Sequence, residues 1–354
     1  MSRFLCSQMQ ALAPYTPGEQ PSDRKYIKLN TNESPFPPTE KALKAVAAAA
    51  ESLQLYPALD GGKLRGAIAE SLGVSYDEVI VTNGSDEVLN LCFRAFCSPE
   101  SPAAFADITY GFYPVFAGYN CVPYEIIPLK EDFTLDPRDY IGINKTVFIA
   151  NPNAPTGIFL PVSEIEEIIK SNPDNVVVVD EAYIDFGGES CVPLVKKYKN
   201  LVVTQTFSKS RSMAGARLGF GIACPELIND LYRLIYSTNP YNLSRLNMAA
   251  GLAAVEDSDY TRRNCAEIAK TREDFSRKLK SFGFEVLPSI ANFVFAKKEG
   301  VSGRMLYDRL RAEGLLVRRF DSPRISDWLR ITIGSRKDMN TLAEKLRLIT
   351  ENLL

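Results

Sequence analysis

The chain has 354 residues, 45% of them hydrophobic and 24% charged, with a net charge of −2, which is the balance of a soluble folded protein large enough for two domains. That charge excludes the clustered Lys/Arg surplus of a nucleic-acid binder, and no apolar run forms a leader at residues 1–10 or reaches the roughly 18 residues of a membrane span, so a cytoplasmic protein without nucleic-acid or membrane partners is expected. Seven scattered cysteines without a C-x-x-C pair read as small core residues in a reducing compartment, and the complete lack of histidine removes His-activated nucleophiles, His-ligated metal and imidazole acid–base chemistry.

Prolines 14, 17 and 21 with Gly18 break up the first 30 residues, which predicts an extended arm with helix only within 3–12. A rigid turn at 31–38 precedes Thr39, a predicted cap for a helix over 40–53, and a Gly61-Gly62 loop precedes a helix over 63–72. Strands at 79–82, 103–107, 124–128, 146–150, 176–180, 201–204 and 218–223 then alternate with helices at 86–96, 112–118, 162–170 and 226–236. Such alternation predicts an α/β fold whose central sheet is mostly parallel and flanked by helices. The run Val176 to Val179 lacks polar alternation, as a strand covered on both faces should. A long helical pattern follows from 246 to 280. Beyond it, strands at 284–287, 292–296, 315–319 and 328–333 and helices at 303–313 and 337–353 predict a smaller C-terminal α+β domain. The domain division expected is an arm over 1–30, a large domain over 31–255 and a small one over 256–354.

Ligands of open α/β sheets sit beyond the carboxyl ends of the strands, so the residues after each strand carry the functional reading. Asn83-Gly84-Ser85-Asp86-Glu87 opens a helix whose first N–H groups suit a phosphate, or are simply capped by Ser85 or Asp86. Thr109-Tyr110-Gly111-Phe112 can offer a flat aromatic face, and Asn151 to Gly157 forms a tight loop that can hold Asn153 toward a ligand. Asp180 ends a buried strand, where a carboxylate needs a cation or a capping N–H, and the cation could be a ring nitrogen or a structural salt-bridge partner. Lys209 lies in a Ser- and Gly-rich loop with Ser208, and Arg217 follows. Arg318 and Arg330, on successive strands, would suit a carboxylate or a phosphate. Pyridoxal phosphate needs a lysine to attach to, an acid beside its ring nitrogen, and donors with a cation for its phosphate. Lys209, Asp180, Gly84 to Asp86, Ser208 and Arg217 supply that list, whereas neither a Walker loop nor G-x-G-x-x-G occurs, and no metal is expected.

Almost the whole chain resembles the fold-type I pyridoxal-phosphate aminotransferases, and within them the histidinol-phosphate aminotransferase family. The resemblance rests on Leu29-Asn30-Thr31-Asn32-Glu33-Ser34-Pro35, Tyr56-Pro57 with Leu64-Arg65, Asn83 to Glu87, the NPNAPTG loop at 151–157, DEAYIDF at 180–186, SKS with GARLGF over 208–220, ANF at 291–293 and LRITIGS at 329–335. It implies that Lys209 is the attachment lysine and base, that Asp180 faces the ring nitrogen, and that Asn153 and Tyr183 meet the ring's phenolic oxygen. Tyr110 would stack on the ring, while Gly84, Ser85, Asp86, Ser208 and Arg217 would hold the phosphate together with Tyr56 of a second subunit. A homodimer with shared sites follows, in which Tyr15 reaches the neighbour's substrate phosphate alongside Arg318 and Arg330. Arg211 and Ser212 stand where the family often has an aromatic residue and a glycine, and Ala154 where it often has asparagine; Arg211 could alter charge near the cofactor. The implied reaction passes an amino group from glutamate to imidazole-acetol phosphate. An aromatic aminotransferase or a threonine-phosphate decarboxylase is the alternative on the same scaffold. A transcription regulator built on such a domain would need a basic DNA-binding module, for which the residues before the first motif leave no room.

Overall fold

A computed structural model describes residues 2–351. Seven strands form the larger sheet in the order Val79–Thr82, Gly219–Ala223, Leu201–Thr206, Val177–Asp180, Thr146–Ala150, Ala103–Ala106, Tyr124–Ile127. Gly219–Ala223 runs antiparallel to both neighbours and the remaining pairs are parallel. The central strands are apolar on both faces because each face carries its own core. Val177 and Val179 pack into one cluster with Val147 and Ile149, and Val178 packs into the other with Phe148 and Phe93. Since the parallel strands point one way, residues 83–86, 107–110, 151–154, 180–183 and 207–209 gather at a single edge, where Arg217 also arrives just before the antiparallel strand begins.

A second, antiparallel sheet orders Arg318–Arg319, Leu329–Thr332, Phe293–Lys298 and Phe284–Val286. Helices Ser258–Ser281, Gly303–Ala312 and Arg336–Glu351 bury Ile268, Phe275, Leu306, Leu342 and Leu346 in the core that this sheet shares. The last helix was expected to reach 353, whose end lies outside the described residues.

Local expectations change where distant partners intervene. The pattern at 246–280 is two helices, Arg245–Glu256 and Ser258–Ser281, separated by Asp257 at φ −104° and ψ 48°. The Asp257 carboxylate accepts from the Thr39 hydroxyl and from Lys41 at 3.4 Å, so Thr39 does not cap the 40–50 helix with its side chain. The stretch 315–319 is also split. Leu315–Leu316 pairs in parallel with Ile27–Lys28, a strand the sequence pattern does not announce, and Arg318–Arg319 joins the second sheet. Leu29 accordingly lies in the smaller core. In the arm a single turn, Ser7–Gln10, is helical. Four cysteines, 92, 191, 224 and 265, are buried as expected, whereas Cys6 and Cys121 are exposed; all seven are free thiols. No helix among the described residues is long and apolar enough to cross a membrane.

Candidate active site

The strand ends enclose a cavity of about 290 Å³, lined by Tyr15, Thr31, Glu33, Ser85, Asp86, Tyr110, Phe112, Asp180, Tyr183, Ser208, Lys209 and Arg217 among others. Lys209 leaves the strand Leu201–Thr206 by a short loop, and its Nζ donates to the Thr31 carbonyl at 3.0 Å and lies 5.9 Å from the Tyr183 ring centroid. Enclosure lowers its ammonium to about 8, with further lowering from the guanidinium of Arg330 and, more weakly, of Arg217. Across the cavity, Asp180 is 5% exposed and meets no cation among the described residues. It accepts from the Ala182 N–H at 3.2 Å and, weakly, from the Tyr113 hydroxyl at 3.4 Å. Burial and the nearby Asp86 push its carboxyl up to about 7. A buried carboxylate so sparsely partnered is chemically incomplete until a cation faces it.

At one end of the cavity the helix Ser85–Phe96 begins, with Gly84 at φ +83° as its N-cap. Its left-handed backbone calls for glycine, and an added Cβ would come within 2.8 Å of Arg217 Nη2, so the guanidinium would have to shift. Below it, a Cβ on Gly219 would come within 2.2 Å of the Ser85 nitrogen, so the glycine brings the strand directly under the turn. Arg217 donates to Asp86 Oδ2 at 3.1 Å and to Ser208 Oγ at 3.4 Å, and Tyr110 donates to Asp86 Oδ1 at 2.7 Å. First-turn N–H groups, the hydroxyls of Ser85 and Ser208 and the Arg217 guanidinium thus converge as an anion cradle at one end of the cavity, beside the Asp86 carboxylate. Pyridoxal phosphate fits this donor set: a cradle for its phosphate, a carboxyl lacking a cation for its ring nitrogen, and a partly neutral lysine within the same space.

Three predicted site residues, Asn153, Tyr15 and Arg318, take other positions. The amide of Asn153 is fully engaged away from the cavity, accepting from Thr109 Oγ1 at 2.9 Å and donating to the Ile108 carbonyl at 2.9 Å and to Thr156 Oγ1 at 3.0 Å. It lines a neighbouring cavity instead, and Ala154 faces the site. Tyr15 lies in the cavity of its own chain, stacked on Phe112 at 4.3 Å, because the arm is held on its own second sheet. Arg318 provides that hold, donating to the carbonyls of Thr16 at 2.7 Å and Pro17 at 2.8 Å. It stands opposite Arg330 in the strand register, and only Arg330 comes near Lys209 and Tyr183. Arg330 donates to the Asn30 carbonyl at 3.1 Å, and its buried Nε has no partner among the described residues. Tyr56 is 76% exposed and stacks on Tyr241 at 4.3 Å, outside the cavity. Arg211 turns away from the site to pair with Asp185 at 3.1 Å.

Sequence reasoning passed over Thr31, Asn32 and Tyr113. Asn32, at φ 57°, donates to the Tyr183 hydroxyl at 2.9 Å. An asparagine in a short polar turn before proline is the signal that could have marked it.

The family described as Aminotransferase class I and II matches residues 24–346. Proteins named histidinol-phosphate aminotransferase from Clostridium acetobutylicum and a Marinomonas species are each 47% identical to this chain, covering 98% of it and 99% of their own length. The chain belongs to the class I and II aminotransferases, and within them to the histidinol-phosphate aminotransferase family. The solved structure of a histidinol-phosphate aminotransferase from Sinorhizobium meliloti, in complex with pyridoxal-5'-phosphate, shares the fold of this aminotransferase at a TM-score of 0.90 and 24% identity, covering 100% of this chain and 99% of the other. A solved structure of a histidinol-phosphate aminotransferase from Clostridium acetobutylicum matches at a TM-score of 0.85 and 25% identity, over 92% and 99% of the two chains.

Proposed function

We propose that this aminotransferase moves the amino group of L-glutamate to imidazole-acetol phosphate, yielding 2-oxoglutarate and L-histidinol phosphate, with pyridoxal 5'-phosphate as cofactor. The 47% identity spread over 98% of the chain with enzymes of that name carries the reading. Arg330 supports it, since its guanidinium lies near enough to Lys209 to lower that ammonium and so puts a cation beside the cavity for a substrate anion.

When bound, the cofactor supplies a protonated ring that takes up the electron pair released at the substrate's α-carbon. Lys209 Nζ, its ammonium lowered to about 8, is the base that removes the proton from that carbon. Asp180 would hold the ring nitrogen in its protonated state, and the cation opposite would bring the carboxyl back below 7. Ser85, Asp86, Ser208 and Arg217 would orient the phosphate at the helix start, with Gly84 giving the turn its close approach. Tyr110 would cover the ring face, and Tyr183 would donate to the phenolic oxygen. Tyr15 and Phe112 would close the mouth against water.

The working unit in this reading is a cytoplasmic homodimer. Leu43, Leu53, Leu55, Tyr56 and Leu59 expose much of their surface, and a second copy seated there would bring its Tyr56 to the phosphate cradle. The large domain would end near 255, at the Asp257 break, and the small domain would begin there and hold residues 27–29 on its core.

The deciding assay offers the purified protein glutamate with either imidazole-acetol phosphate or phenylpyruvate. A rate on the phosphorylated acceptor at least about a hundredfold higher is expected, which corresponds to roughly 3 kcal/mol of extra transition-state binding to its phosphate and imidazole. Comparable rates would leave a broad aromatic aminotransferase, and carbon dioxide release from threonine phosphate would make it a decarboxylase.

A further inference from the structure

The carbonyl of Asn32 accepts from the Asn292 side-chain amide at 3.0 Å, and its backbone N–H donates to Thr332 Oγ1 at 2.9 Å. The Thr332 hydroxyl in turn donates its own proton to Oδ1 of the Asn32 side-chain amide, the nearer amide atom, at 3.0 Å. The far atom of the amide is then the NH2 group, and it donates to the Tyr183 hydroxyl at 2.9 Å. With that lone pair filled, the phenolic proton of Tyr183 has no acceptor among the described residues, and the hydroxyl belongs to a side chain lining the catalytic cavity. Asn32 and Thr332 are 1% and 2% exposed, so water does not compete for these bonds. The left-handed backbone at Asn32, φ 57°, aims its side chain between the two sheets' elements, and asparagine tolerates that conformation.

We propose that Asn32, fixed by Thr332, is a positioning residue that turns the hydroxyl proton of Tyr183 into the catalytic cavity. The order of donors makes Tyr183 a donor to whatever oxygen faces it there. The proposal rests on the reading that this oxygen is the cofactor's phenolic oxygen. Besides Asn32, the groups that face Tyr183 are Arg330, Asp180, Tyr15 and Lys209.

The experiment titrates the visible absorbance of the holoenzyme's bound cofactor with pH. Tyr183→Phe removes the donor that stabilises a negative phenolic oxygen, so the midpoint should rise by about one pH unit. Thr332→Val frees the Asn32 amide to turn over, and Asn32→Asp, which tolerates the same backbone, offers the tyrosine an acceptor in place of a donor. Both should raise the midpoint in the same direction, and Thr332→Ser should restore it. In a Tyr183→Phe background Thr332→Val should add nothing. Wild-type midpoints in both variants, or a Thr332→Val shift that survives undiminished without the tyrosine hydroxyl, would overturn the proposal. An unmoved midpoint in Tyr183→Phe alone overturns it differently, by removing Tyr183 from the cofactor's oxygen.

Discussion

Asp180 and Glu181 are consecutive carboxylates at the end of one strand, 5% and 1% exposed, and burial pushes each of them up to about 7. Their surroundings differ in kind. On one side of the sheet Glu181 accepts from Ser190 Oγ at 2.6 Å, from the Cys191 N–H at 2.6 Å and from Gln205 Nε2 at 2.9 Å, all fixed parts of the protein. On the other side Asp180 has one backbone N–H, a long contact to Tyr113 and a cavity. Burial alone therefore does not mark a functional acid. The distinction lies in whether the protein itself completes the carboxylate's hydrogen bonds, and here it does so for the residue that ties the 182–191 loop to the sheet and leaves its neighbour open to a ligand.

Asp180→Asn should break this contrast most severely. An amide cannot counter a positive ring nitrogen, so kcat/KM should fall by at least about a hundredfold. The same change should stabilise the cofactor-free protein. A carboxyl whose folded value is raised holds its proton more firmly folded than unfolded, so its favourable contribution is present at low pH and is lost as pH climbs from about 4 to about 7. Relative to wild type, the apo variant should therefore gain stability between pH 5 and pH 8, by at most ~4 kcal/mol. Thermal unfolding of both apoproteins at the two pH values checks the sign, and a difference that does not grow with pH would show that Asp180 already has a cation within the protein.

Glu181→Ala should do the opposite. Removing the carboxylate leaves three buried donors without an acceptor, at a cost of roughly 3 kcal/mol to unfolding stability. With the cofactor bound, kcat should stay within about threefold of wild type, because no Glu181 atom lines the cavity. A hundredfold loss of kcat at unchanged stability would make Glu181 part of the chemistry and erase the distinction.

Much of this arrangement is legible in the sequence for a physical reason. Strands buried on both faces, such as Val177–Asp180 and Thr146–Ala150, announce themselves as unbroken apolar runs, and parallel strands deliver the residues that follow them to one edge. Lys209, Asp180, Ser85, Asp86, Tyr110 and Ser208 could be collected by that rule, Arg217 lies further along the loop after Lys209 and Tyr183 is implied by the family resemblance, and the structure gathers all of them around one cavity. What local pattern could not reveal depends on partners far away in the chain. The helix break at Asp257 is set by Thr39, the two-residue strand at Ile27–Lys28 exists only because Leu315–Leu316 pairs with it, and the role of Asn32 is visible only beside Thr332 and Tyr183. The arm is the same case, since its course along the chain's own second sheet depends on Arg318 donating to the carbonyls of Thr16 and Pro17, 302 and 301 residues away.

Asn153 gives the smallest and sharpest test, because its loop composition fits two orientations equally well. Tight turns at 151–157 can hold an amide rigidly toward the cavity or away from it, and Thr109 and Thr156, with the Ile108 carbonyl, select the second. Asn153→Ala removes those bonds and should cost about 1–2 kcal/mol of unfolding stability. It should leave the pH midpoint of the bound cofactor's absorbance within about 0.3 unit of wild type, since no donor to the phenolic oxygen is lost. A midpoint raised by a full unit would instead put the Asn153 amide at the cofactor, so the variant separates the two orientations even though both predict some loss of stability.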